Sequence, residues 1–305
     1  MASLATHISW TDTTWNPTTG CTPISAGCDN CYAKAMTDRL FGGGFETVRT
    51  HADRLAQVAA FQPLRQPDGT RRPRMVFVNS MSDLMHDRIP DAFRDQVFER
   101  IEATQAAVFQ VLTKRPITLR RYIEARYRGR GVPAHLWLGV SVEDDRVRGR
   151  IDALRRLKDA VGNFCAFLSV EPLIGDPTHH DYRGMDWVLI GGESGPRARR
   201  CEAAWVGLAI RQARAAGAAV WFKQWGIWPN NPLYREADGP THAARVRSAI
   251  KRGEQMAAVG PDPRQPNRAR ITGEKGGATF DGQAFREMPS AYRTLTLGLS
   301  GSLGL

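Results

Sequence analysis

No stretch of this sequence reaches the 18 or more consecutive apolar residues of a membrane span. Its opening, MASLATHISWTD, has neither the basic start nor the apolar core of a secretory signal. Both absences point to a cytoplasmic chain with no membrane partner. Cysteine is sparse, five in 305 residues, and without an export signal that excludes a disulfide scaffold. Lysine is scarcer relative to its role: six of the 42 basic residues, leaving 36 arginines. No internal repeat is visible. What is present is an ordinary globular composition, 42% hydrophobic and 24% charged. The length suits one large α/β domain, or one domain with an appendage. The net charge of +11 and pI of 9.9 suit a polyanionic partner, nucleic acid above all. A GC-rich coding sequence would produce the same arginine bias, and the basic residues are spread rather than massed in one tail.

Strand-like and helix-like segments alternate. Met75–Asn79 (MVFVN) is a short run of strand formers. Pro90 opens Asp91–Thr104, whose Ala92, Phe93, Val97 and Ile101 make one helical face. Val108–Leu112, Leu136–Val142, Cys165–Val170, Trp187–Ile190 and Val220–Phe222 read as further strands, and Ile8–Trp10 as the first. Helices are expected over Ile117–Tyr127, Asp145–Lys158 and Cys201–Ala215. Strands apolar on both faces, separated by helices, imply a mainly parallel sheet. Nearly every strand runs into polar residues: Asn79, Ser80, Ser82 and Asp83; Thr113, Lys114 and Arg115; Ser141 and Glu143; Glu171; Glu193 and Ser194; Lys223 and Gln224. Sites drawn from many strand ends belong to barrels, whereas open sheets use one or two crevices. The fold expected is therefore α/β, a (β/α) barrel and a partial one, over residues 1–227. From Trp228 the chain turns to PNNP, ADGP, PDPRQP and KGGATFDG, a loop-rich C-terminal appendage over 228–305 ending in the tail GLSGSLGL.

Trp15–Lys34, WNPTTGCTPISAGCDNCYAK, carries three of the five cysteines within eleven residues, as C-x6-C-x2-C flanked by Gly20 and Gly27, with a helix starting after Tyr32. A structural zinc site takes four protein ligands, commonly as two paired knuckles. Cys28 and Cys31 make one knuckle, and no second C-x2-C exists. A [4Fe–4S] cluster on Cys21, Cys28 and Cys31 leaves one iron open. The amino and carboxylate groups of S-adenosyl-L-methionine can chelate that iron, and reductive cleavage then releases a 5′-deoxyadenosyl radical. The alternatives are zinc completed by His7, Asp12, His51 or Cys201, a redox dithiol at Cys28 and Cys31, and simple buried cysteines.

TWNPTTGCTPISAGCDNCYA, VNSMSDLMH, VLTKRP, GVSVE, SVEPL and GGESGP, in that order over residues 7–228, resemble the uncharacterised three-cysteine-motif proteins of phages and bacterial mobile elements. The likeness extends more weakly to KGGATFDGQAFREMP. It implies radical S-adenosylmethionine chemistry, an electron donor, and a separate three-cysteine-motif protein as a conceivable partner. The spacing departs from the usual C-x3-C-x2-C of radical enzymes. Asn79–Asp83 stands where a Gly-Gly-Glu motif usually ends the second strand, while Gly191, Gly192 and Glu193 come much later.

Against that pattern, Ser80, Ser82 and Asp83 are placed for the cofactor's amino group, with Asp83 equally suited to cap a helix. Glu143 and Glu171 suit its ribose, or an ion pair across the rim. Gly191 and Gly192, beside Glu193, would let a ligand approach the backbone, or simply make a tight turn. Substrate candidates are Lys114 and Arg115, which follow a strand directly and suit a phosphate or carboxylate; Lys223 and Trp225 on the last strand, the tryptophan able to stack a base or to pack the barrel end; and the basic cluster Arg197, Arg199 and Arg200. Cys165 is expected in the core. Two functions follow: an iron–sulfur radical enzyme acting on nucleic acid or a nucleotide-like substrate, and a non-catalytic zinc-containing nucleic-acid-binding protein.

Overall fold

The computed structural model describes residues 6, 8–194, 197–226 and 278–301. His7, the 228–277 part of the loop-rich appendage and the last four residues of the tail lie outside them. The strands in chain order are β1 Thr13–Trp15, β2 Thr18–Thr19, β3 Arg49–Thr50, β4 Leu64–Arg65, β5 Arg71–Arg72, β6 Arg74–Val78, β7 Ala107–Thr113, β8 Leu136–Ser141, β9 Ala166–Val170, β10 Trp187–Gly191, β11 Ala219–Gln224, β12 Thr279–Phe280 and β13 Gln283–Ala284. The helices are α1 Tyr32–Phe41, α2 Asp91–Ala103, α3 Pro116–Tyr127, α4 Gly149–Val161, α5 Ala203–Ala215 and α6 Ser290–Gly301.

Seven strands form one sheet in the order β1-β6-β7-β8-β9-β10-β11, every pairing parallel. Spatial neighbours are thus successive in the chain, apart from the small hairpins between β1 and β6. Parallel crossovers have one hand, so this order places every helix on the same face and curls the sheet; a doubly wound sheet would reverse its order midway. The described strands leave β1 and β11 unjoined, which makes the barrel partial.

The two faces of the sheet confirm the arrangement. Val76, Val78, Phe109, Val111, Leu138, Val140, Leu168, Val170, Val188 and Ile190 join Phe93, Val97, Ile101, Leu119, Ile151, Leu154 and Val206 of the helices in one core. Alternate strand residues, Met75, Phe77, Val108, Trp137, Phe167, Trp187, Leu189 and Trp221, gather with Trp10 on the concave face. Cys165 is buried there, as expected. The lower end of this face is covered by α6: Met288, Ala291, Tyr292 and Leu295 pack on it, and Trp187 donates its indole N–H to Glu287 O at 2.9 Å. Residues 285–287 also shield β11, since Phe222 N donates to Phe285 O and Glu287 N to Val220 O, both at 3.0 Å.

One expected strand is displaced. Ile8–Trp10 is a turn, closed by Thr11 N on Ile8 O at 3.4 Å, and the first strand is Thr13–Trp15. The apolar character of Trp10 comes from its place on the concave face against Phe77, centroids 4.7 Å apart, rather than from a ladder. The helix expected over Asp145–Lys158 is a 3-10 turn at Asp145–Val147 followed by α4. The expected helix at Cys201 starts at Ala203. The helical run of α6 carries through Gly301, into the stretch expected to be a tail. Among the described residues no helix is long and apolar enough to cross a membrane.

Candidate functional site

The cysteine loop crosses the C-terminal ends of the strands. Gly20 starts it with φ +85°, and a Cβ there would lie 2.2 Å from Thr47 O, so the backbone requires glycine. Cys21 N donates to Phe45 O at 2.8 Å, Cys28 ends a 3-10 turn begun at Ala26, and Cys31 caps α1 with its N–H on Cys28 O at 3.3 Å. All three thiols are half-buried and unpaired, whereas Cys165 and Cys201 are buried.

Four strand ends hold this loop down. After β7, Arg115 places one guanidinium nitrogen 3.6 Å from Cys21 Sγ and 3.1 Å from Asp83, and the other on Thr22 O at 2.9 Å. Asp83 also accepts from the Thr113 hydroxyl at 2.7 Å and from the Lys114 and Met85 N–H groups. Burial, and then the charge of Asp83, push the Cys21 thiol up to about 11 against the pull of Arg115.

After β8, Glu143 is almost fully buried beneath Gly27, where a Cβ would meet its Cγ at 2.2 Å. It accepts from Ser25 Oγ at 2.8 Å, from Arg150 at 3.0 Å, and from Lys114. Burial opposes its charge, but Lys114 and Arg150 outweigh that and hold the carboxyl below its ordinary range. After β10, Glu193 accepts from Asn30 Nδ2 at 2.9 Å and from both the backbone and guanidinium of Arg199. Its carboxyl too is held low, the Arg199 bonds overcoming burial. Arg199 goes on to Ala26 O at 2.7 Å and Asp29 at 3.0 Å. The fourth tie is at β6: Tyr32 Oη donates to Ser80 O at 2.5 Å, and Gly20 bridges to Ser82.

The remaining sequence candidates fall into two groups. Glu171 accepts from Lys223 Nζ at 2.5 Å, and Gly191 lies against it, a Cβ there falling 3.3 Å from Glu171 Cδ. Lys223 is the extra residue of a β-bulge, Ile190 pairing with Phe222 and Gly191 with Gln224. On this side of the rim Ser141, Ser169 and Gly191 follow the bulky aromatics down the concave face, so side-chain size falls towards the mouth.

In the second group the serines, Gly192 and Trp225 pack within the fold, and Arg197 and Arg200 stand on the surface. Ser82 Oγ is engaged with Thr18, at 2.7 Å to its hydroxyl and 2.9 Å to its carbonyl. Ser80 Oγ donates to Asn16 at 3.2 Å. Trp225 is fully buried with its indole N–H on Thr279 O at 2.9 Å, and its carbonyl sits where a Gly192 side chain would be, 2.1 Å from that Cβ. Arg200 pairs with Glu202 at 2.8 Å, and Arg197 is exposed with its carbonyl accepting from Asn30. Asn30, Ser25 and Arg150 were not singled out from sequence. The first two lie inside the cysteine motif itself, which was the signal available; Arg150, on a helix, offered none.

Among the described residues, no three Cys, His, Asp or Glu side chains converge as a finished ligand shell. The donor set nevertheless fits a soft, thiophilic centre: three free thiols lie within eleven residues. Of the ligands considered for completing a zinc site, His7 lies outside the described residues and the other three are engaged elsewhere. Asp12 takes a fork from Arg72 at 2.7 Å, His51 meets the Thr19 hydroxyl at 2.8 Å, and Cys201 is in the core with its thiol pushed up to about 12 by burial.

The chain belongs to the family described as "Protein of unknown function (DUF5131)", whose sequence model matches residues 5–289. No curated protein matches it. Among solved structures it is similar to spore photoproduct lyase. A Cys-to-Ala mutant with dinucleoside spore photoproduct has TM-score 0.45 and 15% identity, over 83% of this chain and 77% of that one. The lyase complexed with dinucleoside spore photoproduct has TM-score 0.43 and 16% identity, over 70% and 64%. A Cys-to-Ser mutant has TM-score 0.41 and 18% identity, over 59% and 56%. In three of these lyase structures this chain spans 56–60% of the other chain's length.

Proposed function

We propose that this protein is a radical S-adenosylmethionine enzyme, with Cys21, Cys28 and Cys31 as the ligands of a [4Fe–4S] cluster. One observation carries the reading: three free thiols lie on a loop that buried Glu143 and Glu193 fasten across the strand ends of a partial parallel barrel. A structural zinc knuckle has no need of such a rim, and the remote zinc ligands considered among the described residues are engaged elsewhere. When bound, the cluster and S-adenosylmethionine would supply one-electron reductive cleavage of a sulfonium bond, with the electron arriving from a separate donor.

The chain's own residues divide the work. Arg115 holds positive charge beside Cys21 and offsets part of the upward push that burial and Asp83 exert on its thiol. Glu143 and Glu193 set the loop's height through Ser25 and Asn30. Glu171, Lys223 and Gly191, at the mouth where side chains are small, are the groups proposed to meet the ribose and amino-acid ends of the cofactor. Lys223 and Glu171 would exchange their mutual contact for acceptor and donor groups of the ligand, respectively. The excess of basic residues makes nucleic acid, or a nucleotide-like molecule, the proposed substrate class.

The test is anaerobic reconstitution with iron and sulfide, followed by a reductive S-adenosylmethionine cleavage assay. Wild type should hold about four irons per chain and release 5′-deoxyadenosine, and Cys28→Ala should do neither. Stoichiometric zinc with no deoxyadenosine overturns the proposal.

A further inference from the structure

Positive charge at the rim is largely neutralised, Arg115, Arg150 and Arg199 all closing on carboxylates while Arg197 is exposed. It stands out instead on the β4–β5 ribbon, at the other end of the sheet, because β5 leads through Pro73 into the N-terminal end of β6. Leu64 pairs with Arg72 and Arg65 with Arg71. Alternate residues of a strand face opposite ways, so Leu64 and Arg72 share one face and the two remaining arginines the other.

The first face is anchored. The Arg72 guanidinium forks onto both Asp12 oxygens at 2.7 Å and reaches Tyr292 Oη at 3.1 Å. The turn is ordered by its own bonds, Gln66 N to Thr70 O at 2.8 Å and Gly69 N to Gln66 O at 3.0 Å. On the second face, Arg65 and Arg71 are exposed and directly opposed, with no ion pair or side-chain hydrogen bond among the described residues. Like charges at opposed positions destabilise a ribbon. The nearby Asp68 does not relieve them, because its carboxylate is turned onto Thr70 N at 2.9 Å and the Thr70 hydroxyl at 2.6 Å.

We propose that this ribbon is a docking finger for the sugar–phosphate backbone of a nucleic acid. A phosphate between the two guanidiniums turns their repulsion into a two-sided charge-assisted contact. A two-stranded ribbon also has the width to enter a major groove. Contacts of this kind position a duplex without reading its sequence. The inference goes beyond the reaction proposed above, since the ribbon would bind whether or not the cysteines carry a cluster.

The experiment is fluorescence anisotropy of the full chain, without reconstitution, on short labelled DNA and RNA duplexes between about 50 and 200 mM salt. The Arg65→Gln/Arg71→Gln double variant should weaken binding equally across unrelated sequences. It should also flatten the plot of log K against log salt by about 2. The charge-matched double variant Arg100→Gln/Arg156→Gln, exposed on other helices, should leave that slope within error of wild type. Relief of the opposed charges keeps the ribbon variant's Tm at or above wild type, which separates lost contact from lost fold. Whichever duplex shows the ribbon-dependent slope identifies the source of the phosphates. Equal losses in both double variants overturn the inference, as does a wild type that binds neither duplex. Ribbon-dependent binding to anionic vesicles alone overturns it in favour of a lipid surface.

Discussion

The two ends of the concave face handle polar groups in opposite ways. At the rim, Asp83, Glu143 and Glu193 are each buried and each meet at least three donors. Lower down, among the tryptophans, both side-chain polar atoms of Gln110 and the indole N–H of Trp10 are buried with no hydrogen-bond partner among the described residues. The polar end is saturated, and the apolar end carries the orphans. A buried carboxylate is tolerated only when its partners are complete, so the rim's charges position a loop. The apolar end is held by area and ring packing, which can outweigh an unsatisfied amide.

The largest effect expected from this contrast is at the apolar end. Trp187 is fully buried and meets Trp10, Trp137, Phe167 and Trp221 with centroids 5.9–6.3 Å apart. Trp187→Ala should cost about 3–5 kcal/mol in urea unfolding. Protein that remains folded should keep wild-type iron after reconstitution, because none of these contacts touches the cysteine loop. Loss of iron without loss of stability would break the division between the two ends.

At the rim the balance should reverse. Glu193→Gln removes the buried carboxylate from Arg199, which keeps only the exposed Asp29 as counter-charge, and should cost about 1.5–3 kcal/mol, with a clear fall in retained iron. Its pH dependence carries a definite sign. The Glu193 carboxyl is depressed below its ordinary 4.5 in the fold, so its contribution is present above that value and disappears as pH falls through the lower folded value. Wild type and variant should therefore differ in Tm above about pH 4.5 and converge in stronger acid. A constant gap through acid would show that Glu193 acts by shape rather than charge.

How far all this was legible in the sequence follows from the same physics. Periodicity exposed the strands from Met75 to Phe222 because each alternates between two apolar faces, and it exposed the polar tips because chain direction alone puts them at one end. It hid β1, whose three residues Thr13–Trp15 are too few to show a period, and assigned strand character to Trp10, whose hydrophobicity serves the concave face. The cysteine loop was legible as a ligand set. Its fastening was not: that Glu143 meets Ser25 across 118 residues, or Glu193 meets Asn30 across 163, is decided by register between distant strands. For the same reason Arg199 and the exposed Arg65 look alike in sequence, although one is held in the rim and the other stands in solvent.

The smallest effect expected is a gain. Gln110 lies in register with Phe77 on one side and Trp137 on the other, its whole side chain buried and both amide atoms without a bonding partner among the described residues. An unpaired buried amide costs about 1–3 kcal/mol, and a methionine of similar volume removes that cost with little repacking. Gln110→Met should raise stability by about 1 kcal/mol, read as a higher urea midpoint at unchanged m-value. A loss instead of a gain would mean that the amide is satisfied in solution by an internal water, which needs two to four polar partners. Trp10 Nε1, orphaned on the same face, would then be the second of them. The apolar end would in that case follow the same rule as the rim, with its partners supplied by solvent rather than by side chains.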